Sequence, residues 1–252
     1  DILEENFDNF NEVSRRVTKI ETGSSSVSIP GFWTSAVESC IAKIKNNQQG
    51  RNCVTFPFFS DHHVRGGYVG ALIAKVMQEC NIPYCVFGGD SISSGYMKDG
   101  VSEMIRDEYK FKDLMSYIPE GRLIRTPGNH DGYCAVSADE RYYYTKDQIY
   151  DLFFRDIAIQ QNKHFDSDGT SLYVDDLASK TRFIMLDTNK KMVNNSSTGK
   201  TVTDEQLAWL TNEAMKFDEP GWAIVFSSHQ PMSNHYHAGI SNPEEVYSLL
   251  TS

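Results

Sequence analysis

The stretch Arg122-Leu-Ile-Arg-Thr-Pro-Gly-Asn-His-Asp131 is a short β-prone run that ends in a glycine and three polar side chains. Gly128 allows the backbone to turn sharply. Asn129 then offers an amide oxygen, His130 a titratable imidazole and Asp131 a carboxylate. Because an ordinary Asn/Asp turn has the same composition, a functional interpretation requires other stretches of the same kind.

Three further strand-like runs stop at side chains that can bind a metal. They are Cys53–Phe59 before Asp61 and His63, Pro83–Phe87 before Asp90, and Trp222–Phe226 before His229. Helix-like segments separate the runs, which predicts a largely parallel sheet in the first half of the chain. Ligands bind beyond the carboxyl ends of such strands. We therefore expect these side chains to converge on one crevice.

The composition fits a packed α/β domain. The chain has 252 residues, of which 40% are hydrophobic and 12% aromatic, enough for one large domain or two small ones. No apolar run approaches the roughly 20 residues of a membrane-spanning helix, so we expect a soluble protein, either virion-associated or cytoplasmic. The net charge of −10 disfavours nucleic acid as a partner. The five cysteines are too few and odd in number for a disulfide scaffold.

The two ends of the chain suggest how it is organised. Residues 1–21 have apolar side chains spaced by three or four, which predicts an amphipathic helix that packs on the domain or forms a stalk end for oligomerisation. Gly23–Ser26 has a linker composition, so we expect a helix and linker over 1–26 and one domain over 27–252. The last predicted helix opens at Pro243 and is cut off by the chain end, which predicts that the C-terminal part of the domain is missing.

The side chains that follow the strand-like runs share oxygen or nitrogen donors and lack sulfur: Asp61, His63, Asp90, Asn129 and His229. Such a set suits Mn, Fe or Zn. Two divalent ions that share one carboxylate can polarise a phosphoryl group and activate the water between them. His130 is the candidate general acid for the leaving oxygen, with Asp131 orienting it. His62 is expected to point away from His63 if the strand alternation continues.

In order and rough spacing, Asp61-x-His63, Gly89-Asp90, Gly128-Asn129-His130-Asp131 and His229 resemble the motifs of the calcineurin-like metallophosphoesterase family. The similarity spans about residues 53–231. It implies an α/β fold in which a two-sheet β-sandwich is flanked by helices. The implied roles are one metal on Asp61 and His63, a second on Asn129 and His229, a bridge at Asp90, and a general acid or transition-state contact at His130.

The chain departs from the family pattern towards its C-terminal end. The usual Gly-His-x-His motif is absent, and His235-Tyr-His237 offers only the His-x-His spacing. Gln230 stands where the family usually has a second His, which would alter a substrate contact. Further candidates for a phosphate contact, with solvated loop as the alternative, are Arg65, Arg125, Tyr133, His235 and His237.

Two functional hypotheses follow. The first is a dinuclear phosphoesterase that hydrolyses phosphomonoesters or phosphodiesters, small or polymeric, by attack of a hydroxide that bridges the metals. The second is a catalytically inactive module of the same fold with a structural or binding role in a larger assembly. The N-terminal helix and Ser-rich joint resemble those of phage or prophage tail-associated proteins, which would suggest envelope polymers such as teichoic acids as substrates. A nuclease is disfavoured by the acidic charge.

Overall fold

The computed structural model describes most of the chain beyond its N-terminal segment: residues 28–93, 97–98, 101–135, 141–155, 163–189, 201–233 and 239–251. The predicted N-terminal helix and its Gly-Ser linker lie outside these ranges. The described helices include none that is both long and apolar enough to cross a bilayer.

The first sheet contains three parallel strands in the order β1-β2-β5. They are Phe58–Phe59 (β1), Cys85–Phe87 (β2) and Leu123–Arg125 (β5). Three helices alternate with these strands along the chain: Thr34–Gln48 (α1), Val69–Cys80 (α2) and Glu103–Met115 (α3). This alternation of strand and helix produces the parallel pairing that the sequence predicts.

The second sheet is mixed and contains four strands in the order β11-β10-β9-β8. They are Lys163–Phe165 (β8), Leu172–Asp176 (β9), Thr181–Leu186 (β10) and Ala223–Ser228 (β11). The pairs β8–β9 and β9–β10 are antiparallel, as the short turn between β9 and β10 predicts, whereas β10 and β11 are parallel. Along the chain, β10 and β11 are separated by Asp204–Trp209 (α5), which continues as a π-helical turn over Leu210–Ala214. The last helix, Pro243–Thr251 (α6), follows β11.

The alternation of side chains along the strands shows that the two sheets pack face to face. Val86 of β2 and Phe183 and Met185 of β10 belong to one core cluster between the sheets. Their neighbours point to the opposite faces, where Phe87 packs in a second cluster with α1, α2 and α3, and Ile184 packs in a third with α5 and α6. Strands with both faces buried are continuously apolar, which explains the runs seen in the sequence. The two-sheet sandwich flanked by helices is therefore confirmed.

The remaining described elements are short. Met97–Lys98 (β3) pairs with Val101–Ser102 (β4), and Tyr133–Ala135 (β6) pairs with Arg141–Tyr143 (β7). Lys146–Ile149 (α4) continues as a π-helical turn over Tyr150–Phe154. Arg141–Tyr143 thus completes a hairpin just before α4.

Candidate metal centre

The carboxyl ends of β1, β2, β5 and β11 meet at one edge of the sandwich, where they carry Asp61, Asp90, Asn129 and His229. Ligand atoms of Asp61, Asp90 and His229 all lie within 4.8 Å of one another. Three of the side chains come from the first sheet and His229 comes from the second. The fold therefore produces the convergence that the sequence predicts from strand ends alone.

Asp90 lies at the centre of this group and is only 3% exposed. Its Oδ2 atom is 3.3 Å from Nε2 of His229, 3.9 Å from Nε2 of His63 and 4.0 Å from Nε2 of His130. Its Oδ1 atom accepts a hydrogen bond of 2.9 Å from the backbone N–H of His130. One carboxylate therefore faces three imidazoles, which is the position that a bridging ligand would occupy.

Backbone carbonyls orient two of these imidazoles. Nδ1 of His63 lies 2.8 Å from the carbonyl oxygen of Ile92, and Nδ1 of His229 lies 2.8 Å from that of Gly88. A carbonyl can only accept, so each Nδ1 carries the hydrogen and Nε2 is left for the ligand site. This arrangement is typical of metal-binding histidines.

The spacing of the donor atoms fits a divalent cation. Two ligands that each lie about 2.1 Å from one ion, at angles between 90° and 110°, are separated by roughly 3.0–3.4 Å. Nε2 of His229 is 3.3 Å from Oδ2 of Asp90 and 3.0 Å from Oδ1 of Asn129. Both separations fall in this range, so the spacing of His229 from each of these oxygens is that of two ligands of one ion.

Comparison with family models gives an independent result. Residues 55–251 match the model described as calcineurin-like phosphoesterase. The chain belongs to the calcineurin-like phosphoesterase family. Membership implies a metal-dependent hydrolase that acts on phosphate esters. Comparisons with curated proteins and with solved structures found no match.

The electrostatics of this phosphoesterase centre favour cation binding. Burial alone would raise the pKa of Asp90, but the hydrogen bonds and charges of His229 and His130 together outweigh it and hold that pKa below its usual value. Burial alone would lower the pKa of His229, but its pairing with Asp90 prevails and raises it. Asp90 is therefore held in its ionised form, and a divalent ion bound here would compete with a proton for Nε2 of His229.

The loop after β1 has an unusual backbone. Asp61, His63, Val64 and Asp90 adopt φ values between 47° and 58°, a left-handed region that side chains avoid, β-branched ones most of all. The backbone N–H groups of His63 and Val64 donate to the carbonyls of Asp90 and Ser91, at 3.1 and 3.0 Å. These bonds hold two ligand loops together in a conformation that each would disfavour alone.

Asp131 is fully buried and accepts hydrogen bonds from the Asp90 loop and from the turn at Gly128. Its Oδ2 accepts from the backbone N–H groups of Asp90 (2.9 Å) and Gly128 (2.8 Å), and its Oδ1 from Ser91 Oγ (2.9 Å) and the Ile92 N–H (3.3 Å). Asp131 thus fixes the backbone on both sides of Asp90. Its predicted role in orienting His130 stays a prediction.

Arg125 corrects an expectation from the sequence, because its side chain is buried and is neither in a solvated loop nor exposed to a phosphate. The Arg125 side chain is 4% exposed and pairs with Glu108, which is fully buried, through Nη1 and Oε1 at 2.5 Å. It also donates to Ser91 Oγ at 2.8 Å and lies against the rings of Phe111 and Phe153. The Arg125–Glu108 pair is thus hydrogen-bonded to Ser91, the residue that follows Asp90.

The other histidine, arginine and tyrosine residues considered from the sequence differ in their burial. His62 is buried against the ring of Phe111, and burial lowers its pKa, in agreement with its expected position away from His63. Arg65 is exposed. Tyr133, His235 and His237 lie outside the part of the structure in which side chains are described.

Sequence inspection missed the groups that orient the ligands. The carbonyls of Gly88 and Ile92 have no signature in the sequence, because every residue carries a backbone acceptor. Gln230 is singled out by its place after His229, but only the folded structure shows that it is buried, at 2% exposure.

Proposed function

We propose that this domain hydrolyses phosphate esters with two divalent metal ions, of which Mn, Fe and Zn suit the donors best. The observation that carries the proposal is the convergence of Asp61, Asp90 and His229 within 4.8 Å, from strand ends far apart in the sequence. His63 and Asn129 complete the set. Asp61 and His63 would hold one ion, Asn129 and His229 the other, and Asp90 would bridge them.

The chain's own groups supply orientation and proton transfer. Divalent ions bound here would polarise the phosphoryl group and lower the pKa of the attacking water. His130 is 36% exposed at its side chain, and its ring lies edge-on to that of His63 at 5.1 Å. It is thus beside the ligand group and open to solvent, where its imidazole can donate a proton to the leaving oxygen.

The substrate class follows from charge and access. The net charge of −10 repels long polyanions such as nucleic acids, whereas a local pair of divalent cations attracts a single phosphate group. Small phosphomonoesters and phosphodiesters fit this balance. Polymeric phosphate esters remain candidates where one ester at a time reaches the metals.

The test combines metal analysis with turnover. Elemental analysis should find two metals per chain after incubation with Mn²⁺, and the protein should hydrolyse p-nitrophenyl phosphate, bis-p-nitrophenyl phosphate or both. Asp90→Asn should lose both metals and activity. Asp218→Asn is the matched control, because Asp218 is an exposed carboxylate on the turn before β11.

The second candidate is an inactive module of the same fold in a larger assembly such as a phage tail. The absence of a Gly-His-x-His string in the sequence favours it. It predicts that the wild-type protein turns over neither ester at any Mn²⁺ concentration, and that Asp90→Asn is as inactive as the wild type.

A further inference from the structure

We propose that Thr188 and Gln230 form a hydrogen-bond relay that positions Asn129, so that its amide oxygen and not its amide nitrogen faces the metal. This inference rests on the proposed function, in which Asn129 is a metal ligand. It assigns a positioning role to Gln230, which stands where the family usually has a second His.

The relay connects the two sheets beneath the metal centre. The hydroxyl of Thr188, which follows β10, donates to Oε1 of Gln230 at 2.5 Å. Nε2 of Gln230, which follows β11, donates to Oδ1 of Asn129 at 3.3 Å. Thr188 and Gln230 are 0% and 2% exposed. The relay therefore runs through the protein interior.

The polarity of the relay matters because an amide has two unlike ends. Only the oxygen of Asn129 can bind a cation, and its NH₂ group would repel one. Oδ1 of Asn129 lies 3.0 Å from Nε2 of His229, where the two would share an ion. The NH₂ group of Gln230 requires an acceptor at this point, so it selects the rotamer of Asn129 that presents oxygen.

Gln230 is itself an amide and needs the same kind of selection. The Thr188 hydroxyl donates to its oxygen, which leaves the NH₂ group on the side of Asn129. The backbone N–H of Gln230 donates to Thr188 Oγ1 at 3.4 Å, and Ser228 Oγ donates to the Gln230 carbonyl at 2.9 Å. Both ends of the Gln230 side-chain amide are therefore engaged within the protein.

The experiment measures Mn²⁺ affinity by isothermal titration calorimetry, with thermal unfolding of the metal-free protein alongside. Gln230→Met keeps the length of the side chain but removes the donor, so affinity should fall by about 10- to 100-fold, the range for groups that orient metal ligands. Thr188→Val should weaken binding in the same direction. Thr188→Ser keeps the hydroxyl and should bind like wild type.

A double-mutant cycle separates positioning from general packing. In an Asn129→Ala background, Gln230→Met should cause no further loss of Mn²⁺ affinity, because the group that it positions is absent. A merely structural role would lower affinity by the same factor in both backgrounds and would overturn the proposal. If Gln230→Met does not fold, Thr188→Val and Thr188→Ser give the same comparison with smaller changes in shape.

The outcomes also distinguish this inference from the proposed function. If wild type binds no Mn²⁺, the proposed function fails and the relay has nothing to position. If wild type binds Mn²⁺ and Gln230→Met and Thr188→Val bind it equally well, the metal site stands and the relay is refuted.

Discussion

Replacing Gly128 with alanine tests the close contact beneath the metal centre. A Cβ atom on Gly128 would lie 2.0 Å from Oδ1 of Asp90 and 2.3 Å from its backbone nitrogen. Non-bonded atoms approach to about 3.5 Å, so the Gly128 turn and the Asp90 loop must separate by more than ~1 Å. Asp90 would also lose its fixed distance to the His130 N–H, which now bonds its Oδ1 at 2.9 Å.

The proposed metal centre would tolerate much less movement than this. Metal–ligand distances hold to within about 0.2 Å, and a misplacement of about 1 Å at a reacting centre costs on the order of 100-fold in rate. We therefore expect Gly128→Ala to lower kcat for p-nitrophenyl phosphate by about 100-fold or more. The free energy of unfolding should also fall, by about 1–3 kcal/mol, as for other overpacked sites.

Gly132→Ala is the matched control, since it lies on the same loop and a Cβ there meets nothing within 4 Å. Both variants would be compared with wild type by circular dichroism, Mn²⁺ titration calorimetry and steady-state kinetics. If Gly128→Ala folds and matches Gly132→Ala in Mn²⁺ affinity and kcat, the reasoning about this contact is refuted.

Three further predictions concern the interior. Arg125→Met should lower the free energy of unfolding by about 3–5 kcal/mol, because it removes the charge partner of the fully buried Glu108, whose pKa burial already raises. Denaturant unfolding should show that adding Glu108→Leu restores most of the loss, and no recovery would contradict the pairing. Burial lowers the pKa of Lys163 from 10.5 to about 8, so between pH 8 and 10.5 the folded protein binds fewer protons than the unfolded chain. The free energy of unfolding should therefore rise with pH across that window in wild type, and rise less in Lys163→Met. Thr203→Ala should cost about 1 kcal/mol by removing the acceptor for the Gln206 N–H, and an unchanged melting temperature would show that this cap is not needed.

The sequence predicts the fold well where both faces of a strand are buried. Phe183–Leu186 is apolar at every position because alternate side chains enter different cores, and such runs stand out without an alignment. The run Cys53–Phe59 also stands out, but only Phe58–Phe59 pairs as strand. Pro57 has no N–H to extend the ladder, although its carbonyl still accepts from Val86. Strand ends thus depend on partners that lie elsewhere in the chain.

The candidate site is predictable to the extent that ligand types follow strand ends. Asp61, Asp90 and His229 are found in this way, and the structure brings them together. The environment of Arg125 is not predictable, because its partner Glu108 lies on α3 and the two meet only after α3 packs on the first sheet. A charged residue near a motif looks the same in sequence whether it faces solvent or a buried partner.

Placing His229 on one sheet and the other donors on its neighbour has a mechanical consequence. A metal coordinated by both sets would cross-link two layers that otherwise adhere through side-chain packing and hydrogen bonds such as that between His229 and the Gly88 carbonyl. Its binding free energy then adds to the cohesion of the layers, and sliding of one sheet against the other alters coordination. Substitutions in the core between the sheets, such as at Phe183, should therefore change the metal affinity. Metal loading should make the two layers unfold in a single cooperative transition.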